Sequence, residues 1–411
     1  MNNKWNDAWQ LVTGKLFCPE TSLIYDSLSS DDPEKRFAHL PFPEEIQKNI
    51  PNPCSWGTGM EDSMLNGGTI LDALVFRMEQ EEENRASLLD FALKILKGIE
   101  LCNTVHGVHG YLVRSVSPRD GKSFYIDTSR DQFTCCTRGL LHFYRSSFAD
   151  EDTKRRIRQI LTSFADLCAE RIRPGENGNL GRLDGRPGLV GEMISCRPHE
   201  AFRLPMMYLA AYIASGEAKY HRLYDKCVDD ALAASMKIVS DGNVVNWGLV
   251  QMQESLSICA ECGFMQQRKE QAVSIMQTVA ARAEKEFYPA AERLFAYNGR
   301  WDIPAIPWQN AAVMFLVPGT VFQDRASLFG DYLYLKPEEA SDYQLPLDIM
   351  TAVGNLAACV AFAPGYQPSE KFRSTFERAF DIPDYACFKS AKVCYMLYAL
   401  CLLRAHTGNP A

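Results

Sequence analysis

Two kinds of helical pattern alternate along this chain, and their alternation constrains the fold more than any other feature. Segments such as 200–215 (EAFRLPMMYLAAYIAS) and 388–406 are apolar nearly all round, the pattern of a helix buried on every side. Segments such as 151–172 (EDTKRRIRQILTSFADLCAERI) and 266–287 carry a charged face and one apolar stripe, as a helix does when it covers a core from outside. Reading for period predicts helices at about 5–17, 61–81, 84–102, 129–147, 151–172, 200–215, 217–240, 248–263, 266–287, 306–316, 346–363, 369–379 and 388–406. Short turns at Glu82-Glu83, Ala149-Asp150 and Gly216-Glu217 join the members of a pair, and longer loops at 103–127, 174–199 and 288–305 join pair to pair. Convincing strands are scarce. The expectation is an all-α protein, an (α/α)6 toroid in which apolar helices form an inner ring and amphipathic ones wrap it. The whole chain, 1–411, reads as one such domain, with length enough for an extra helix pair. An α-solenoid would repeat regularly, whereas the inner-type helices begin near 61, 129, 200, 248, 306, 346 and 388.

Composition fits a packed, soluble protein. Of 411 residues, 46% are apolar and 23% charged, ordinary globular values. The net charge is −8 with no basic stripe, so nucleic acid is not an expected partner. No run of about 18 apolar residues offers a membrane span. The start, MNNKWNDAWQLVTGKLF, lacks the apolar core of a signal peptide, so the expected compartment is the cytoplasm, or the periplasm if a leader has been removed. The fourteen cysteines sit mostly in apolar helical segments, which reads as free thiols in a reducing compartment. Cys259-Ala-Glu-Cys262 stands without a second pair, and His106 and His109 are too closely spaced for a zinc site. Neither metal nor cofactor is expected.

If the inner helices run the same way, their first turns meet at one mouth. The segments there are Trp56-Gly-Thr-Gly-Met-Glu61-Asp62, Asp127-Thr-Ser-Arg130-Asp131-Gln132, Arg197-Pro-His199-Glu200, Asn246-Trp247, Trp301-Asp302 with Trp308-Gln309-Asn310, and Tyr343-Gln344 with Asp348. Four of the six tryptophans fall in them. Indoles stack on the apolar faces of sugars, while amides, Arg and His bind hydroxyls and carboxylates, so the inventory fits a carbohydrate-binding funnel. Structural readings stand beside this one. Thr58-x-x-Glu61 and Ser129-x-x-Gln132 match the capping box, and acids are favoured in a first helical turn anyway. Asp62 and Asp131 follow a cap without being one. Asp127 and Asp131 are four apart, and two close carboxylates push one pKa up, as a general acid requires. His199 follows a proline suited to a helix start and reads equally as a structural histidine. Arg114, Arg130, Arg138 and Arg197 fall near the mouth and suit a substrate carboxylate gripped bidentately.

GVHGYLVRS followed by FYIDTSRDQF resembles the loop and helix start of the unsaturated glucuronyl and rhamnogalacturonyl hydrolases. These belong to the six-hairpin glycosidase superfamily, which the chain also resembles in architecture. The resemblance implies an (α/α)6 toroid that cleaves sugars with carboxylates at its mouth, and matches Asp127 to the family's second aspartate. Val108 stands where the first would be. Hydration of an unsaturated sugar is thereby disfavoured, and a hydrolase of saturated uronic acids, such as a β-glucuronidase, is preferred.

The expected function is therefore hydrolysis of uronate-bearing oligosaccharides by a monomer or homodimer. Asp62, Asp127, Asp131 and Glu200 are the candidate catalytic carboxylates. Asp131 or Glu200 would protonate the departing oxygen, and Asp62 or Asp127 would activate water or stabilise positive charge on the sugar. Trp56, Glu61, His109, Arg114, Arg130, Gln132, Arg197, His199, Trp247, Trp301, Asp302 and Trp308 are the candidate substrate contacts. Three rivals remain: a uronate lyase using Tyr111, His109 or His199 as base, a sugar epimerase, for which the histidines at the mouth are few, and a sugar-binding toroid without catalysis.

Overall fold

The computed structural model describes residues 2–194, 196–241, 244–305, 307–309 and 341–407. The helix expected at 306–316 falls almost wholly outside the described residues, as do Asn310 and the side chains of Tyr343 and Gln344. Helix α1 (Asn2–Gln10) passes through a π-helical turn into a two-stranded antiparallel ribbon, β1 (Phe17–Cys18) and β2 (Leu23–Ile24). The short α2 (Pro43–Gln47) follows, then α3 (Ser63–Gln80), α4 (Arg85–Thr104), α5 (Arg130–Arg145), α6 (Glu151–Arg171), α7 (Arg203–Ser215), α8 (Ala218–Met236), α9 (Asn246–Cys262) and α10 (Gln266–Ala296). The last three are α11 (Ser341–Phe362), α12 (Glu370–Asp381) and α13 (Val393–Thr407).

The all-α toroid is what the chain forms. Among the described residues, helices α3, α5, α7, α9, α11 and α13 pack each on the next, and α13 returns to pack on α3, closing a ring of six. Each inner helix has an outer one against it: α4 on α3, α6 on α5, α8 on α7, α10 on α9, α12 on α11, and α1 on α13. The N-terminal helix thus fills the outer place beside the last inner helix. An extra pair is not needed to close the ring. Burial follows the sequence pattern. Helix α7 is buried round its circumference from Arg203 to Ala211 and α9 from Gly248 to Cys259, whereas α6 buries one stripe through Ile157, Ile160, Leu161, Phe164 and Cys168. Helices α6 and α12 start on side-chain caps, Asp150 accepting from Thr153 N–H at 2.8 Å and Ser369 from Phe372 N–H at 3.1 Å.

The inner helices run parallel. Thr137 on α5 reaches Met207 on α7 at 3.2 Å, and seven residues further on Tyr144 donates to Ala214 O at 2.9 Å. Two glycines set the closest approach: a Cβ on Gly68 of α3 would collide with the backbone of Cys135, and one on Gly139 of α5 with the carbonyl of Gly68. Several boundaries differ from the periodicity reading. Helix α10 continues past 287 to Ala296 through Pro289, and α11 begins at Ser341 and runs through Pro346, although each proline removes one backbone donor from its helix.

The ring's axis is polar. About 15 Å below the mouth, by helical rise, Asp72 accepts from Arg138 Nε at 3.1 Å, from His142 Nδ1 at 2.5 Å and from the Tyr398 hydroxyl. Arg138 also donates to Glu261 at 2.7 Å. Burial opposes the charge on Asp72, and the Arg138 guanidinium with the contacts of His142 and Tyr398 outweighs it, so its pKa is depressed. One turn higher, Glu254 accepts only from the Cys135 thiol, at 3.3 Å, and its Oε1 has no partner among the described residues. Burial pushes Glu254 up to about 8.

Gly139→Ala should cost about 1–3 kcal/mol through overpacking against the Gly68 carbonyl, seen as a lowered denaturant midpoint. Glu254 is protonated in the fold at pH values where the unfolded chain ionises it, so it lowers stability progressively from about pH 4.5 up to about 8. Glu254→Gln should therefore gain stability over the native protein as pH rises through that window, by about 2–5 kcal/mol at the top of it. Thermal melts at pH 5 and pH 8 check the sign; an equal difference at both would contradict it.

Candidate active site

Inner-helix starts from both ends of the chain meet at the mouth. Asp62 precedes the first residue of α3, and its side chain makes no cap hydrogen bond. Thr58 Oγ1 donates to Ser55 O at 2.5 Å, and the Glu61 carboxylate accepts from Gly57 N–H. The Thr58-x-x-Glu61 motif therefore closes a tight loop instead of capping α3. Gln132 does not cap α5 either. Its Oε1 accepts from Leu65 N–H at 2.8 Å, and its Nε2 donates to Glu61 O and Asp62 Oδ1, both at 3.1 Å. It stitches the start of α5 to the start of α3. Both capping-box readings are corrected by these contacts.

Two residues that the sequence did not single out complete this cluster. Asp26, just after β2, accepts from Glu61 N–H at 2.7 Å, from Asp62 N–H at 3.2 Å and from Asn66 Nδ2 at 3.0 Å. Lys392, at the start of α13, places its ammonium 3.8 Å from Asp62. The three carboxyl groups are half-buried. Burial, then the charge of Asp62, pushes Glu61 up to about 7. Burial and the same two neighbouring acids raise Asp26 well above the carboxylate range. The acids hold Lys392 up in turn, against its own burial. A group poised near 7 beside another carboxylate is the pairing acid–base chemistry uses.

The other predicted acids are ion-paired. Asp131, 16% exposed, is bound by Arg203, which is fully buried and also donates to Gln251 Oε1 at 2.7 Å. Glu200 pairs with Arg130 and accepts from Arg197 N–H at 3.2 Å. Burial opposes its charge, but His199, Arg130 and Arg203 outweigh this and depress its pKa. Glu200 therefore holds charge at neutral pH and does not suit the proton-donor role expected of it. Asp127 is fully buried, with Oδ1 on Thr128 N–H at 2.9 Å and Oδ2 on Leu189 N–H at 3.1 Å. Its carboxylate holds the Leu189 loop while its own backbone N–H donates to Pro53 O at 3.1 Å, beside the packing of Leu189 and Val190 on Cys54 and Trp56. Both of its oxygens are taken by backbone donors, and burial raises its pKa.

The expected binding residues divide. Trp56 and Trp247 are half-buried at the mouth, and Arg114 is buried beside it, its Nη2 on Thr128 O at 3.4 Å. Arg197 is exposed, and His199 is buried against Gly248. His109 lies on the outer layer, 3.4 Å from Asp166 of α6, which corrects its placement at the mouth. Trp301 packs edge-on against Tyr297 and Phe388, Asp302 pairs with Arg300 at 2.9 Å, and Trp308 is half-buried beside Gln309, which donates to Glu45 of α2 at 2.6 Å. Of these three, only Trp301 packs against the described core. Arg138 belongs to the axial network, below the mouth.

No family model matches the chain, and no curated protein matches it. Among solved structures the chain is similar to the glycoside hydrolase family 76 (mannosidase) protein Bt3792 from Bacteroides thetaiotaomicron VPI-5482, at 11% identity over 99% of each chain and a TM-score of 0.47. Among the described residues no group of His, Cys, Asp and Glu is placed to hold a metal ion, and no helix is long and apolar enough to cross a membrane.

Asp127→Ala should cost about 2–4 kcal/mol, since two buried backbone donors lose a charged acceptor. Hydrogen exchange should speed up at the Thr128 and Leu189 amides first; unchanged exchange there would show that the clasp is dispensable.

Proposed function

We propose that the protein is a glycoside hydrolase whose reaction centre is the Glu61–Asp62 pair at the mouth of the ring. The observation that carries this reading is a half-buried carboxyl raised to about 7 next to a second carboxylate, at the end of the ring where the inner helices begin and where two indoles are part-exposed. Glu61 donates its proton to the departing glycosidic oxygen as the C–O bond breaks. Asp62 stabilises the positive charge left on the sugar ring or takes the proton of the attacking water. Asp131, tied to Arg203, adds negative charge on the neighbouring helix start. Trp56 and Trp247 offer apolar faces for the pyranose rings.

Charge at the mouth bears on the substrate. Arg130 and Arg138 are ion-paired with Glu200 and with Asp72 and Glu261, so the charge of each is already matched, although the Arg130 Nε, like that of Arg114, has no partner among the described residues. The primary substrate class is therefore an uncharged glycoside. Uronate-bearing oligosaccharides are the second reading, favoured by Arg114, whose buried Nε has no partner among the described residues. Elimination finds less support. Tyr111 is buried with its hydroxyl on Ile126 O and Gly181 O, His109 lies on the outer layer and His199 is buried, so none of the three expected bases faces the funnel.

Turnover should fall as pH rises through about 7, where Glu61 loses the proton it must donate. Glu61→Gln should lower kcat by about 10²–10⁴ on substrates with poor leaving groups, with KM little changed, and Asp62→Asn should do likewise. The check is steady-state kinetics on paired neutral and uronate oligosaccharides; native rates in both variants would overturn the assignment.

A further inference from the structure

We infer that Lys392 is the positioning residue that divides the two roles within the Glu61–Asp62 pair: ring closure sets its ammonium beside Asp62, which makes that carboxyl the anionic partner and leaves Glu61 as the proton donor. The inference rests on the reading of Glu61 and Asp62 as the reacting carboxyls. Its geometric basis is the seam between the two ends of the chain. Asp26 O accepts from Ala391 N–H at 2.8 Å and from Ser390 Oγ at 3.2 Å, and Leu28 N–H donates to Lys389 O at 2.8 Å. Ser390 Oγ accepts in turn from Lys392 N–H at 3.3 Å. The Asp26 side chain holds the backbone of Glu61 and Asp62. One short segment, 26–28, thus fixes the backbones on both sides of the seam, and Lys392 Nζ comes to lie 3.8 Å from Asp62 Oδ2.

The two carboxyls meet different surroundings. Asp62 has Gln132 Nε2 on Oδ1 at 3.1 Å and the Lys392 ammonium by Oδ2, and a donor on one oxygen with a cation by the other favours the charged form. Glu61 has one backbone donor, Gly57 N–H, and the Asp62 charge beside it disfavours a second anion. Asp26, raised well above the carboxylate range by burial, Asp62 and Glu61, holds a proton of its own and leaves the ammonium to Asp62. Of the other groups nearby, Arg114 adds positive charge toward Glu61, the Cys394 thiol beside Lys392 is kept neutral by burial, and His39, 3.4 Å from Ser27, is held neutral by burial and by Arg119, its pKa lowered to about 4. The Lys392 side chain is 39% exposed, and its ammonium makes no hydrogen bond among the described residues, so it acts on Asp62 through charge. That charge also reaches Glu61, where it opposes burial and Asp62. With the ammonium gone, the acids of the cluster would ionise at higher pH.

The test compares the full-length protein with its Lys392→Met and Lys392→Arg variants. Carboxyl carbons are followed by 13C NMR across pH, with Glu61→Gln used to assign the Glu61 signal, and kcat is measured over the same range. Lys392→Met should raise the Glu61 midpoint by about one pH unit and carry both limbs of the kcat profile to higher pH by a similar amount, with KM within about twofold. Lys392→Arg, which keeps the charge, should keep the native midpoint and profile. Limbs that move equally in the two variants, or a Glu61 midpoint that stays or falls in Lys392→Met, overturn the inference. Should Lys392→Met fail to fold, the native protein decides: the side-chain 15N signal of Lys392 steps at the Glu61 midpoint near pH 7, and a signal flat through that pH overturns the proposal. A raised Glu61 midpoint in a protein that hydrolyses no saccharide upholds the hold of Lys392 on the pair and removes the glycosidase reading instead.

Discussion

Closure of the inner ring is the constraint on which the rest of this molecule depends. Helix α13 packs back on α3, and this contact, made between residues more than three hundred positions apart, brings the first turns of parallel helices to one end. Gly68 and Gly139 let α3 and α5 approach closely enough for backbone to meet backbone, and the segment around Asp26 stitches the seam between α3 and α13 at the mouth. An open solenoid of the same helices would spread their first turns along a groove. A closed ring gathers them, and Glu61, Asp62, Asp131 and Lys392 come to the same end of it.

Burying so many ionisable groups requires that nearly all be matched. Asp131 with Arg203, Glu200 with Arg130, and Asp72 with Arg138 and His142 are paired, as buried charges must be. Glu254 departs from the rule and remains neutral. At the mouth the matching is deliberately short by charge count: three acids share Lys392, and the excess appears as the raised Glu61. Ion pairing thus separates acids with their own cation from the cluster that shares Lys392, and the two kinds stand within a turn or two of each other on the same ring.

The architecture was legible because it is written in helical periodicity. All-round apolar segments became the inner ring, and one-striped segments became the outer layer. The gathering of Glu61, Asp62, Asp131 and Gln132 followed from the helix starts. Their roles did not, because a carboxylate's chemistry depends on partners far away in sequence: Arg203 for Asp131, Arg130 for Glu200, Leu189 for Asp127. A usable signal did exist for several missed residues. Asp72, Arg203, Glu254 and Lys392 are isolated charges inside apolar helical stretches, and a charge in such a place demands a buried partner or a shifted pKa. Asp26 had no such mark, since it lies in an irregular segment whose contacts are all long-range.

The central claim is that the mouth of this ring cleaves a glycosidic bond with water. It is tested most directly by incubating the protein with neutral and uronate-bearing oligosaccharides in water enriched in 18O and weighing the products. The account predicts two shorter saccharides whose masses sum to substrate plus one water, with a single 18O at the newly formed reducing end. Products lighter by one water, an isomer of unchanged mass, or a substrate bound and returned intact would contradict it.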